Sequence, residues 1–496
     1  MRSRRKTSVT MAVLVVAVLV LGHWLTSLAL AAPVTITLWD HHIHDKKFRQ
    51  NAVKEFNKQN KDVNIKYVSQ VSGAYEQTLE ASMLIGEMPD IFVPAGKFNN
   101  ENLVAMGAIT SIEDVAPSRQ AFQAWVDKFP AQLQPFVETI NMFDGKVYSW
   151  PNSAEGGRMM LFYNTKLLRQ AGLVGKNGVA LEPETWADTR DFARKVTALG
   201  KGRFYGVVHG LQQGTWGPQI LWSLAPSSGW RSNPFYGFDP KTLKFNFHYK
   251  GFRGSIQLWL DMKKDGSIMP GDLSFSEEEA RRYFATEKGA LFFDGPWAPG
   301  GLIAYNPDLE FDVVLPPVEE RGVRKGYLMV GAVAGTSEYV IWSGTKAPEP
   351  ALWKAINFLT SREYQEGWVK AGGGLSVFPQ YNKPEFFPHI TIAKIAQMAI
   401  TGRRIGPEPV KGTSTVSGYF WEETTAKRRN PDQILSGIWV GKLGMDTWDL
   451  AEKEHDAILA NSIKRAQRDG VNIEIEDFHL ENWDPAENYV KKSKGK

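Results

Sequence analysis

Thr35-Ile36-Thr37-Leu38-Trp39 opens the stretch that settles the fold class, because its apolar residues alternate at the period of a half-buried strand. Phe48, Val53 and Phe56 then recur at helical spacing, and Asn64 to Val68 reads as a second strand. Tyr75, Leu79 and Met83 mark a second helix, which Gly86 can close in a left-handed conformation. Asp90 to Val93 has the length and apolar character of a short buried strand. Strand, helix, strand, helix, strand within about sixty residues requires crossover connections, and so an α/β lobe on parallel strands.

The pattern restarts after Pro151. Arg158 to Tyr163 is strand-like, and Asn164 can cap a helix that Gly172 ends. Trp186 to Leu199 is amphipathic and helical, and Tyr205 to His209 is strand-like. Ser276-Glu277-Glu278-Glu279 is a capping box opening a helix that leads to the strand Ala290 to Phe293. Phe311 to Leu315 and Val340 to Trp342 read as further strands, with a helix from Ala351 to Leu359. The last hundred or so residues are mainly helical, with a long charged helix from about Asp446 to Ala466, while the Gly- and Pro-rich stretch Gly210 to Pro240 reads as an elaborated loop.

At 496 residues the chain is too long for one ordinary core. It contains no cysteine, which excludes disulfides, Cys-ligated zinc, iron–sulfur clusters, a Cys nucleophile and a lipid-bearing cysteine. Its basicity resides in a charged head, Arg2, Arg4, Arg5 and Lys6; without these four, 54 basic residues balance 54 acidic ones. Nothing then forces the basic face of a nucleic-acid binder. The apolar run Met11 to Leu21 follows the head, and Ala29-Leu30-Ala31 supplies a small-x-small cleavage pattern. Residues 1–31 are therefore expected to be a secretory signal peptide, cleaved near Ala31; the alternative is an N-terminal membrane anchor.

Seventeen tryptophans are more than a core alone requires, and Trp216, Trp222, Trp230, Trp297 and Trp421 stand out as candidates, many of them beside Gly and Pro. A ring on a stiff loop can stack on the apolar face of a sugar while nearby polar groups bond its hydroxyls. Any one such ring is more often core or loop packing, and it is the set as a whole that carries the ligand reading. Asp40-His41-His42-Ile43-His44-Asp45 sits just past a strand end, where α/β ligand sites gather. Adjacent histidines rarely converge on one point, so ligand hydrogen bonding is the preferred reading over metal, and no cofactor or metal is expected. Phosphate-loop, dinucleotide, zincin and nucleophile-elbow motifs are missing, and Gly372-Gly373-Gly374 reads as a helix stop. A glycosidase needs only two facing carboxylates, so a secreted glycan-active enzyme is the surviving catalytic alternative.

Several segments, in order along the chain, carry a resemblance: Ile36-Thr-Leu-Trp-Asp40, Gly86-Glu-Met-Pro-Asp-Ile-Phe92, Leu161-Phe-Tyr-Asn-Thr-Lys-Leu-Leu168, Pro183-Glu-Thr-Trp186, Lys288-Gly-Ala-Leu-Phe-Phe-Asp-Gly-Pro-Trp297 and Ala355-Ile-Asn-Phe-Leu-Thr-Ser361. Together they resemble the sugar-type extracellular solute-binding proteins of ABC importers, the broad family that includes maltose-binding protein. The resemblance implies a two-lobed α/β periplasmic-binding-protein fold with the ligand cleft at the lobe interface. It implies lobe one over residues 32–154 with 330–374 returning to it, and lobe two over 155–329 with 375–496 returning.

On this resemblance Trp297 matches an aromatic that stacks on sugar, and Glu155 sits where a ligand-contacting hinge acid is often found. Trp421 falls near a second stacking aromatic, and Gln213 and Trp216 lie in the matching second-lobe loop. Asp40, His41, Tyr75 and Gly96 complete the expected ligand-binding set. After Pro89-Asp90 the chain departs from the maltose-binding pattern, with Pro94, Ala95, Gly96 and Lys97 where that pattern has an aromatic and an acid. The function so implied is non-enzymatic capture of a carbohydrate outside the cytoplasm and its delivery to a membrane permease. The protein would act as a monomer, with no nucleic-acid partner.

Overall fold

A computed structural model describes residues 32–489, apart from 97, 155–158, 213–217, 328, 331–338, 402–403 and 408–409. The expected signal peptide lies outside the described residues. Among those described, no helix is long and apolar enough to cross a membrane.

The first sheet grows from β1 (Val34–Asp40), whose alternate residues Ile36, Leu38 and Asp40 are buried. It pairs in parallel with β2 (Val63–Ser69) over seven residues, from Val34 opposite Val63 to Asp40 opposite Ser69. On its other side it pairs in parallel with β3 (Ile91–Phe92). Two helices make the crossovers, α1 (Lys46–Gln59) and α2 (Ser72–Ile85), and Gly86 closes α2 with a φ of 71° as expected. After the short helix α3 (Asn100–Ala105), β4 (Ile109–Thr110) supplies one edge. Between β3 and β4 lies a much later strand, Val340–Trp342, antiparallel to both.

The second sheet comprises β5 (Met160–Asn164), β6 (Tyr205–Val208), β7 (Gly289–Asp294) and β8 (Phe311–Val314), in the order β8-β5-β7-β6. It is mixed: β7 runs parallel to β6 but antiparallel to β5. Both faces are covered, which is why β5 and β7 read as continuous apolar runs. Leu161, Tyr163, Leu291 and Phe293 enter a core on one face, while Met160, Phe162 and Phe292 enter a separate core on the other. Asn164 ends β5 and caps α4 (Thr165–Gln170), accepting the Leu167 N–H at 2.8 Å. The large first core also takes α5 (Trp186–Gly200) and α6 (Lys250–Lys264). Helices α7 (Glu277–Ala285) and α8 (Ala298–Tyr305) cover the opposite face.

The stretch expected as an elaborated loop, Gly210 to Pro240, departs from that reading. Short 3-10 turns at Pro218–Trp222 and Ala225–Ser228 bring Leu221, Leu224, Trp230, Phe235 and Phe238 into the core beside Phe252 and Trp259 of α6. Glycine and proline shape its backbone, but its aromatic side chains bury enough apolar surface to make it core.

From Val340–Trp342, now β9, the chain continues into α9 (Glu349–Leu359) and α10 (Arg362–Lys370), which pack on the first sheet's core through Leu352, Ile356, Leu359 and Tyr364. It then recrosses. Ser153 and Ser376 pair antiparallel, and Ala154 donates its N–H to the Leu375 carbonyl at 2.8 Å. Val377 belongs to the first sheet's core and Leu375 to the second's, so this pair spans the two lobes. Helices α11 (Thr413–Ala426) and α12 (Thr447–Arg468) finish the second lobe, with Val416, Phe420, Ile458 and Ile463 in its core.

Candidate functional site

The carboxyl end of β1 delivers Asp40 into a fully buried position, where strand alternation requires an inward side chain. Its charge is absorbed by donors from three directions. The Tyr67 hydroxyl donates at 2.9 Å, the Tyr339 hydroxyl at 3.0 Å and the His42 amide at 3.2 Å. Arg49, one turn into α1, lies 3.7 Å away and is only 2% exposed. The same guanidinium donates to Asp45 at 2.8 Å, an i,i+4 pair, and to the Tyr339 oxygen at 2.5 Å. Trp368 of α10 completes Asp45's shell with an indole N–H at 2.7 Å. Arg49, followed by His44, holds the Asp45 carboxyl below its ordinary range against the opposing effect of burial. Between the acids, His41 stacks on His42 with centroids 5.0 Å apart and meets Tyr75 at 5.3 Å.

The second lobe offers a counterpart at the end of β7. Ser276 and Glu279 form the expected capping box and start α7, which directs Glu277 and Arg281, four residues apart, to one side. Arg281 is 2% exposed and reaches Asp294 at 2.9 Å and Glu277 at 2.6 Å, with Glu278 as a third carboxylate partner. Trp297 closes the group, its indole N–H donating to Glu277 at 3.0 Å. Gly295 permits this: a Cβ there would lie 2.3 Å from the Trp297 ring, which folds back over the turn. Burial, with the Glu277 charge beside it, pushes the Asp294 carboxyl well above its ordinary range despite Arg281. Glu277 itself is held down by Arg281 and its hydrogen bonds to Asp294 and Trp297, against burial. Three carboxylates on one arginine leave a surplus of negative charge, so a proton is retained on the Asp294 side.

These two clusters face each other. The His44 Cβ would lie 3.8 Å from a Cβ on Gly301 of α8, and a Cβ on Gly300 would sit 2.4 Å from the Gly372 carbonyl oxygen at the end of α10. Only glycine allows α8 to approach α10 so closely. Burial lowers the His44 imidazole to about 4; Asp45 opposes this, while His42, Arg281 and Arg49 add to it. His44 thus senses charges of both lobes. On another part of the interface Glu101 of α3 accepts the Gly412 and Ser414 amides, at 2.6 and 3.0 Å, at the N-terminus of α11.

The expected residues are divided by this geometry. Asp40, His41 and Trp297 belong to the facing clusters. Gly96 sits near Glu76 in a tight turn with a φ of 57°. Tyr75 is fully buried and its hydroxyl donates to the Val93 and Trp39 carbonyls at 2.7 and 3.2 Å, so it ties β3 to β1 and presents only its ring to His41. Trp421 stands 36% exposed on α11, against Phe420, and is not brought to either cluster. It lies on a helix and not on a stiff loop. Trp230, 2% exposed, donates to the Asn246 carbonyl and is core. Glu155, Gln213 and Trp216 lie outside the described residues. Sequence reasoning missed Arg49, Arg281, Tyr339 and Trp368. The i,i+4 spacings Asp45–Arg49 and Glu277–Arg281 were a usable signal for the arginines; Tyr339 and Trp368 had none.

The family described as bacterial extracellular solute-binding protein matches residues 39–366. The chain belongs to that family. It is 26% identical over 342 residues to the arabinooligosaccharide-binding protein of Bacillus subtilis, covering 65% of this chain and 72% of that one. It is 25% identical over 431 residues to the sn-glycerol-3-phosphate-binding periplasmic protein of Escherichia coli, covering 83% of this chain and 89% of that one. Among solved structures, an ABC transporter solute-binding protein of Thermotoga lettingae bound with α-D-tagatose superposes with a TM-score of 0.65 at 18% identity, over 86% of this chain and all of the other. As a solute-binding family member the chain has the two-lobed fold, and its facing strand ends lie where the lobes meet.

Proposed function

We propose that this solute-binding protein captures an uncharged carbohydrate between lobe one, residues 32–154 with 330–374, and lobe two, residues 155–329 with 375–496, and delivers it to an ABC permease. Trp297 is the stacking aromatic of this reading. His41 and the turn at Gly96 serve the ligand from the first lobe. Glu155, Gln213 and Trp216 join them on the family pattern. The observation that carries the proposal is electrostatic. Both buried arginines at the interface, Arg49 and Arg281, are already neutralised by two and three carboxylates respectively. A phosphorylated ligand would meet surplus carboxylate on the β7 side, whereas a neutral polyol pays no such penalty and finds an indole ring stiffened at both ends. Closure would bend the crossing pair at Ser153 and Ser376, a hinge motion. On this reading the protein is exported, loses residues 1–31 and begins at Ala32. N-terminal sequencing from the native compartment checks that.

Calorimetric titration with mono- and oligosaccharides, and with sn-glycerol 3-phosphate as the charged control, tests the ligand class. Saturable heat with a sugar that is recovered unaltered supports binding without catalysis; conversion of the sugar would favour the glycan-active alternative. Trp297→Ala should weaken the best sugar by roughly thirtyfold, about 2 kcal/mol, with little change in thermal midpoint. Unchanged affinity would remove Trp297 from the site.

A further inference from the structure

The second lobe contains an aromatic pocket that the inter-lobe site does not use. Trp222, Trp230, Tyr327 and Trp483 line it, with Pro226, Pro407 and Pro485 among the remaining walls. The cavity is about 110 Å³ and partly open to solvent. It is built where the Gly210 to Pro240 stretch meets a C-terminal strap. That strap is held by the Tyr327 amide on the Pro485 carbonyl at 3.0 Å, Arg404 on the Ala486 carbonyl at 2.6 Å and the Tyr489 amide on the Ile405 carbonyl at 2.8 Å. Trp230 belongs to the core on the Leu161 and Phe293 face of the second sheet, and Trp222 packs against it. Arg281 and Trp297 stand by α7 and α8, which cover the opposite face. The pocket is thus separated from the inter-lobe cluster by the sheet itself.

Its polar groups point to a ligand. The indole N–H of Trp483, a residue only 4% exposed, is buried without a hydrogen-bond partner, and so is that of Trp222. A buried donor left unpaired is destabilising, so two beside one cavity need an account. Trp230 differs, since its N–H is spent on Asn246. None of the described residues lining the cavity is charged, and the nearby Arg404 guanidinium is engaged over the Tyr327 ring at 4.0 Å and on the Ala486 carbonyl. Three prolines and three tryptophans make stiff walls, which lose little freedom when a ring is seated.

We propose that this pocket is a second binding site, taking one edge of a single neutral sugar ring whose oxygens accept from the Trp222 and Trp483 indoles. The volume suits such an edge: it is below the roughly 150 Å³ that admits benzene, and so far too small for an oligosaccharide. Aromatic walls with a few oriented donors are the chemistry that recognises a hydroxylated ring.

The test uses the full chain labelled with 5-fluorotryptophan and read by fluorine NMR, with Trp222, Trp483 and Trp297 assigned through single Trp→Phe variants. The probes are the methyl glycosides of glucose, galactose, mannose, xylose and arabinose. At least one should shift the Trp222 and Trp483 signals saturably, and should still do so in Trp297→Ala. Trp483→Phe, which keeps the ring and removes the donor, should weaken that response roughly five- to tenfold while the Trp297 titration is unchanged. Silence of both signals to all five probes, as when water alone satisfies the donors, overturns the proposal. So does a response that appears only together with Trp297 and vanishes in Trp297→Ala. If Trp483→Phe lowers the thermal midpoint too far to be titrated, the comparison of wild type with Trp297→Ala decides alone. Loss of the Trp297 response with the pocket intact would strike the inter-lobe reading and leave this one standing.

Discussion

At the end of β1 a buried arginine, Arg49, meets two carboxylates; at the end of β7 another, Arg281, meets three. Each cluster also receives a tryptophan N–H, from Trp368 to Asp45 and from Trp297 to Glu277. The difference lies in how each acid is satisfied. Asp40 retains two tyrosine hydroxyls and a backbone amide besides the arginine, so its charge is shared among neutral dipoles. Glu277, Glu278 and Asp294 converge on one guanidinium with a single neutral donor apiece, from Trp297, Tyr305 and the Gly295 amide, and the group balances only by keeping a proton. A cluster in which Arg49 holds the Asp45 carboxyl down therefore faces one that keeps a proton on the Asp294 side, across the lobe interface.

The largest test of that contrast is removal of each arginine. Arg281→Met leaves three carboxylates with one neutral donor apiece and no cation, and should destabilise the protein by about 4 kcal/mol in urea unfolding. Arg49→Met should cost about 1 kcal/mol less, because only two carboxylates lose their cation and Asp40 keeps three neutral donors. Equal losses would mean the surplus carboxylate carries no energetic weight. A sharper version compares the acids. Asp45→Asn should cost about 3 kcal/mol near neutral pH, since Asp45 is held down by Arg49 and its contribution is lost only as pH falls through its low folded value. Asp294 is pushed up, so its contribution is present at low pH and declines as pH rises from the ordinary carboxyl range toward its folded value. Asp294→Asn should therefore cost under about 1 kcal/mol and improve relative to wild type as pH rises. A parallel pH response in the two Asn variants would refute the opposed directions.

Between the clusters, His44 is lowered from 6.5 to about 4, so its contribution is complete above 6.5 and lost as pH falls toward 4. His44→Gln should recover about 2 kcal/mol of the stability that wild type loses between pH 7 and pH 5. Burial lowers His209 to about 3 and His455 to about 4 in the second lobe's core, so the slope should shrink without vanishing. An unchanged slope would detach His44 from the interface. The smallest effect concerns Glu101, whose carboxylate holds the start of α11 across the lobes. Glu101→Ala should cost about 1 kcal/mol and shift small-angle scattering toward a more open form. No change in scattering would make this contact a cap and nothing more.

The two regions also differ in how far they could be read in advance. The first sheet's strands followed from alternation at Thr35 to Trp39 and from two helical runs with a terminating glycine. The second sheet's strands were legible as buried runs, but their mixed direction was not, because a strand covered on both faces carries no alternation to orient it. Tryptophan misled in part. Trp297, on its Gly-Pro turn, stands at the interface, while Trp230 on a similar Gly-rich stretch is core. Composition reports that a ring is present, and only packing decides which of its faces is free.

What the residues determined alone were the features closed by hydrogen bonds over three or four positions. The Ser276–Glu279 box, the Asn164 cap on Leu167 and the Gly86 terminus all formed as written. Their geometry depends on backbone and neighbours in one turn, which the sequence states completely. The tertiary structure alone decided that Tyr339 donates to Asp40 across 299 residues and Trp368 to Asp45 across 323. It also decided that Gly300 meets Gly372. Such contacts form only after two lobes have folded and the chain has crossed between them. Closing loops of that length costs nearly the same entropy for many alternative partners, so local pattern cannot choose among them and the packed cores do.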